Sequence, residues 1–212
     1  MKENCTELVF ILDMSGSMAS VTEATIAGFN KVIEEQKKTP GEKLVTTVLF
    51  NHDLHELYTR RPIADVEPLT KEEYEARGTT ALLDAMGLTL NEISVCQIAD
   101  EDDRPEHTLF FITTDGKENA SRHSSEETVR RDISLYQERW DWKFIFLAAD
   151  LDALETARRV GIRRETRARY CRDIQGEDLK YDAVNRYITN TVFRMCTDDC
   201  FLELEADADA RS

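Results

Sequence analysis

Asp13, Ser15 and Ser17 stand at alternate positions of Asp13-Met14-Ser15-Gly16-Ser17, so one short loop offers a carboxylate and two hydroxyls. Gly16 lets the backbone turn tightly between the serines. Oxygen donors of this kind suit a hard cation, Mg²⁺ or else Mn²⁺ or Ca²⁺, rather than a softer metal. Two more oxygens recur downstream, Thr80 in Gly78-Thr79-Thr80-Ala81 and Asp115 in Thr113-Thr114-Asp115-Gly116. Thr79 is the alternative to Thr80 as the hydroxyl of that turn. Only two of these groups are charged, so a bound ion is expected to keep net positive charge and attract an external anion.

The elements that must hold these groups are legible around them. Leu8 to Leu12 is an apolar run without alternation, as expected of a strand covered on both faces, and it ends at Asp13. Thr108 to Thr114 is a second such strand, ending at Asp115, and Lys143 to Ala149 is a third. Leu44 to Phe50 is a β-branched strand, and after the turn Asn51-His52-Asp53 the run Leu54 to Thr59 is expected to return antiparallel as an edge strand. Glu165 to Tyr170 reads as a weak edge strand.

Helical spacing fills the gaps. Ser20-Val21-Thr22-Glu23 reads as a capping box before Ile26, Phe29 and Ile33, and Thr39-Pro40-Gly41 ends that helix. Leu83, Met86, Leu90 and Ile93 mark a second helix, Val129, Ile133, Tyr136 and Trp140 a third after the cap Ser124-Ser125-Glu126-Glu127. Asp150 to Val160 forms a fourth closed by Gly161, and Tyr181, Val184, Ile188, Val192 and Met195 a last one. Phe29, Met86, Trp140 and Met195 read as core. The expected fold class is α/β: a doubly wound, mostly parallel open sheet with one antiparallel edge strand and helices on both faces. Two strands ending in aspartate and a hydroxyl-rich turn opening a helix would then meet at the carboxyl rim of the sheet.

The 212 residues are expected to form one domain over 5–197 and an acidic, loosely ordered tail over 198–212, where Asp198, Asp199, Glu203, Glu205, Asp207 and Asp209 face Arg211 alone. The formal net charge of −15, from 42 acidic and 27 basic side chains, opposes nucleic-acid binding through phosphates. No apolar run approaches a membrane span and Met1 to Thr6 lacks a signal-peptide layout, so a cytoplasmic location is the default expectation. Five cysteines without paired CxxC spacing point to free thiols, not zinc or a disulfide framework. His52, His55 and His107 read as surface residues.

At the five oxygen-bearing residues the sequence resembles the von Willebrand factor A family, whose metal-ion-dependent adhesion site uses a DxSxS loop, a separate threonine and a later aspartate. The resemblance covers nearly the whole expected domain and is similar to compact intracellular bacterial members. It implies a Rossmann-like fold and a metal site in which Ser15, Ser17 and Thr80 touch the ion while Asp13 and Asp115 act directly or through water. It further implies a protein partner that supplies an Asp or Glu carboxylate to the open position. No enzymatic activity is expected. The other reading is a metal-dependent, phosphoesterase-like hydrolase using the same ion. Against that reading, Ser15 stands where a DxD phosphatase loop has its second aspartate, no GxSxG, HExxH or P-loop motif is present, and His123 is the one conceivable base for a serine nucleophile.

Two stretches carry no assigned role. Lys117, Glu118, Asn119, Arg122 and His123 read as a solvated loop after Asp115, with a part in partner choice as the alternative. Arg158, Arg159, Arg163, Arg164, Arg167, Arg169 and Arg172 read as a basic segment paired with nearby acids, with a docking patch as the alternative. The oligomeric state is not legible.

Overall fold

The computed structural model describes residues 1–211. Six strands form one sheet: β1 (Lys2–Asp13), β2 (Glu42–Phe50), β3 (Leu54–Pro62), β4 (Pro105–Thr114), β5 (Lys143–Ala148) and β6 (Arg167–Arg169), in the order β3-β2-β1-β4-β5-β6. All neighbours pair in parallel except β2 and β3, which are antiparallel as expected of a three-residue turn. The expected α/β doubly wound architecture, with its single antiparallel edge, is the one observed.

Side chains alternate across the central strands into two cores. Leu8, Phe10 and Leu12 of β1 face α1 (Thr22–Gln36) and α5 (Ile174–Val192), while Val9 and Ile11 face α2 (Leu82–Ala99), α3 (Glu126–Trp140) and α4 (Leu151–Arg159). Phe10 stacks on Phe111 and meets Phe29 edge-on, with ring centroids 5.3 and 5.2 Å apart. Each such fully buried side chain contributes on the order of 1.5–3 kcal/mol. That burial fixes the strand register and hence the positions at which the strands end.

On the α1 and α5 side, Lys180 and Glu177 form a wholly buried ion pair with Nζ to Oε2 at 2.6 Å, and Thr25 Oγ1 donates to the same carboxylate at 3.0 Å. The Lys180 ammonium lies over the rings of Tyr170 and Tyr181 at 4.5 and 4.6 Å, and burial holds it below the usual lysine range.

Three local expectations differ. The chain after Asp13 first makes a 3-10 segment, Gly16–Val21, and α1 starts at Thr22 without a side-chain cap, so Ser20 and Glu23 form no capping box. Met195 lies beyond α5 and is exposed, because the helix ends at Val192 and Arg194 takes a left-handed conformation. The segment after Thr197 is not loosely ordered: Phe201 and, from α6 (Leu202–Ala210), Leu204 and Ala208 are buried, and Glu205 and Asp209 pair with Arg164 and Arg169. Spacing of i, i+3 and i+7 gives this acidic helix one apolar face, which its net charge conceals. The folded domain therefore continues to Arg211. Ser212, the last residue of the expected tail, lies outside the described residues.

Candidate metal centre

β1 and β4 are adjacent and parallel, while the connections leaving them run to opposite sides of the sheet. Their carboxyl ends therefore open a crevice at the rim, the place where such sheets take ligands. Asp13 closes β1 and Asp115 follows β4, which brings the two aspartates there together.

Asp13 is fully buried, and its two oxygens are each fixed. Oδ1 accepts from the Ser15 backbone N–H at 2.7 Å and Oδ2 from Thr114 Oγ1 at 2.6 Å. The buried Tyr74 hydroxyl donates to the Asp13 carbonyl. Burial pushes the Asp13 carboxyl up to about 6, against those hydrogen bonds, which favour the carboxylate. A nearby cation would offset that desolvation.

The hydroxyls continue the chain of contacts. Ser15 Oγ lies 3.1 Å from Ser17 Oγ, and Ser17 Oγ donates to Asp115 Oδ1 at 2.6 Å. Thr80 is buried and Thr79 exposed. A methyl group built onto Gly116 would stand 3.3 Å from Thr80 Oγ1 and 3.5 Å from Ser17 Oγ, so the missing side chain leaves space between these hydroxyls. All five expected residues thus converge on one rim.

The loops that carry them are tied down. Gly16 N–H donates to the Gly78 carbonyl at 3.1 Å, and Arg77 N–H to the Met14 carbonyl at 2.9 Å. Asn119 Oδ1 accepts from Thr80 N–H at 3.0 Å, and Glu118 accepts from Leu83, Ala120 and Ser121 N–H. Asp84 accepts three backbone N–H groups, from Arg122, His123 and Ser124, which holds its carboxyl below the usual range despite burial. The stretch after Asp115 is therefore a fastened loop whose Glu118 and Asn119 brace α2 and Thr80.

Sequence reasoning did not assign Thr114, Tyr74, Asn119 or Arg172. Thr114 adjoins Asp115 and could have been found by asking what satisfies a buried Asp13. Arg172 Nη1 contacts Asp115 Oδ2 at 2.9 Å, although nothing in the arginine-rich run distinguishes it. Four of the other arginines follow the paired reading: Arg158 meets Glu155, Arg159 meets Glu126, and Arg164 and Arg169 meet acids of α6.

The donor set consists of hydroxyl and carboxylate oxygens around a gap lined by Gly116, which fits a hard divalent cation. Among the described residues no group of three or more His, Cys, Asp or Glu side chains is arranged to hold a metal, so the hydroxyls must carry much of any ligation here.

No protein-family model matches the sequence, and no curated protein matches it. Solved structures do match. A von Willebrand factor type A protein from Catenulispora acidiphila superposes with a TM-score of 0.55 at 16% identity, covering 86% of this chain and 42% of that one. Proximal thread matrix protein 1 from the mussel byssus, with a zinc-occupied MIDAS motif, gives 0.60 at 14% identity over 85% of this chain and 45% of that one. The chain has the von Willebrand factor A fold. The manganese-loaded TRAP protein of Plasmodium vivax shares it, with a TM-score of 0.55 at 16% identity over 82% of this chain and 71% of that one. This von Willebrand factor A fold spans less than half the length of the mussel and Catenulispora proteins. No described helix is long and apolar enough to cross a membrane.

Proposed function

We propose that the chain is a metal-dependent protein-interaction module, in which a divalent cation at the rim captures an Asp or Glu carboxylate of a partner protein. The observation that carries this reading is the convergence of Asp13, Ser15, Ser17, Thr80 and Asp115 at the ends of β1 and β4, with Gly116 leaving the gap between hydroxyls. Ser15, Ser17 and Thr80 would hold the ion, and Asp13 and Asp115 would balance its charge directly or through water. The ion would supply a Lewis-acidic position for an external oxygen ligand. Zinc and manganese in two proteins of the same fold support a divalent cation, and Mg²⁺ is our choice for this oxygen-only set.

A hydrolase reading gains nothing from the geometry. The Ser15 and Ser17 hydroxyls hydrogen-bond each other, Ser17 Oγ donates to Asp115 rather than to an imidazole, and the His123 backbone N–H donates to Asp84.

Selection of random peptides on Mg²⁺-loaded protein, with elution by EDTA, tests the proposal. Enrichment of Asp or Glu peptides that leave on chelation is expected. Binders without acidic residues, or acidic binders that persist both in EDTA and on Asp13→Ala, would contradict it.

A further inference from the structure

We propose that Arg172 is a second contact for the partner's carboxylate, which would be held between the cation and the guanidinium. This rests on the metal-dependent reading and adds a specificity-determining residue to it.

Both oxygens of the Asp115 carboxylate are engaged, Oδ1 by Ser17 and Oδ2 by Arg172 Nη1. The guanidinium therefore sits one carboxylate away from the hydroxyl set. The Asp115 side chain is fully buried whereas that of Arg172 is 45% exposed. Among the described residues Nη1 is the one Arg172 nitrogen with an acceptor. The remaining N–H groups of a fork built for carboxylates are left at the rim.

The backbone that presents it is fixed on both sides. Tyr170 N–H donates to the Ala148 carbonyl at 3.0 Å and its ring is buried, and Asp173 caps α5 through Gly176 N–H at 2.8 Å. A cleft of about 560 Å³, bordered by Asp115, Asp150, Arg169 and Arg172, leaves room beside it for an incoming side chain.

Charge points the same way. Asp13 and Asp115 together neutralise a divalent ion, so the expected residual positive charge does not come from the five-residue set alone. Arg172 returns one positive charge to the loaded site, which then favours an anion.

The test uses N-acetylated, C-amidated Gly-Ser hexapeptides with one central Asp or Asn, titrated into ¹⁵N-labelled, Mg²⁺-loaded protein. Calorimetry of Mg²⁺ binding runs in parallel on wild type, Arg172→Ala and Arg172→Lys. Arg172→Ala is expected to bind Mg²⁺ as tightly as wild type or more tightly, and to bind the Asp peptide about tenfold more weakly. Arg172→Lys is expected to fall between, since it keeps the charge without the fork. Equal or tighter Asp-peptide binding by Arg172→Ala, with metal binding intact, overturns the role of Arg172 alone. Absence of Mg²⁺ binding in wild type, or Mg²⁺ binding without preference for Asp over Asn, overturns the metal-and-carboxylate reading itself.

Discussion

Thr114 Oγ1 donates to Asp13 Oδ2 at 2.6 Å, joining the carboxyl ends of β4 and β1 through a side chain rather than the sheet ladder. The contact aims the Asp13 carboxylate and satisfies one of its buried oxygens.

Thr114→Val keeps the shape and removes the donor, which leaves a buried carboxylate oxygen unpaired. We expect a loss of about 1–3 kcal/mol in urea unfolding, with Thr114→Ser close to wild type. Equal stability of the Val and Ser variants would show that the hydrogen bond contributes nothing.

Gly116 has an ordinary backbone conformation, so Gly116→Ala is tolerated by the chain but crowds the gap between Thr80 and Ser17. Stability is expected to change by less than about 0.5 kcal/mol, as for a substitution outside the core. Affinity for Mn²⁺ is expected to fall about tenfold, the size of a 1.4 kcal/mol disturbance of the ligand set. Calorimetry reads the second and urea unfolding the first.

The Lys180–Glu177 pair lies inside the face covered by α1 and α5. Lys180→Met strands a buried carboxylate with Thr25 as its remaining donor, at a cost of about 3–5 kcal/mol. The double variant Lys180→Met with Glu177→Leu is expected to recover most of that loss. A double-mutant cycle in urea measures the coupling, and simple additivity would contradict it.

Glu7 is fully buried in β1, with Oε2 accepting from Gln97 at 2.8 Å and Oε1 3.2 Å from Arg60 Nε. Burial raises its carboxyl above the usual range, with Arg60 and Gln97 acting in the opposite direction. A carboxyl raised on folding binds protons more readily in the native state. Its contribution to stability is therefore fully present below the unfolded value of about 4.3 and is lost as pH rises through the folded one. Relative to Glu7→Gln, wild type should lose stability as the pH rises above the unfolded value of about 4.3. A pH-independent difference between the two would contradict this.

The sheet was legible because Leu8 to Leu12, Thr108 to Thr114 and Lys143 to Ala149 are too apolar to face water on either side, and each ends in a polar turn. Asp13, Ser15, Ser17, Thr80 and Asp115 were legible for a related reason: each lies at a strand or helix end whose place on the rim follows from topology. Arg172 was not, because its contact with Asp115 spans 57 residues and depends on how β6 docks on β5. Helix α6 was hidden by its charge, although Phe201, Leu204 and Ala208 keep helical spacing beneath the acidic residues.

The central claim is most directly tested by titrating Mn²⁺, and separately Mg²⁺, into chelator-stripped protein by calorimetry, with Asp13→Ala and Ser17→Ala beside wild type. Saturable binding of one ion is expected in wild type, lost in Asp13→Ala and weakened in Ser17→Ala, with all three proteins folded by circular dichroism. Absence of binding in wild type, or equal affinity in wild type and Asp13→Ala, would contradict it.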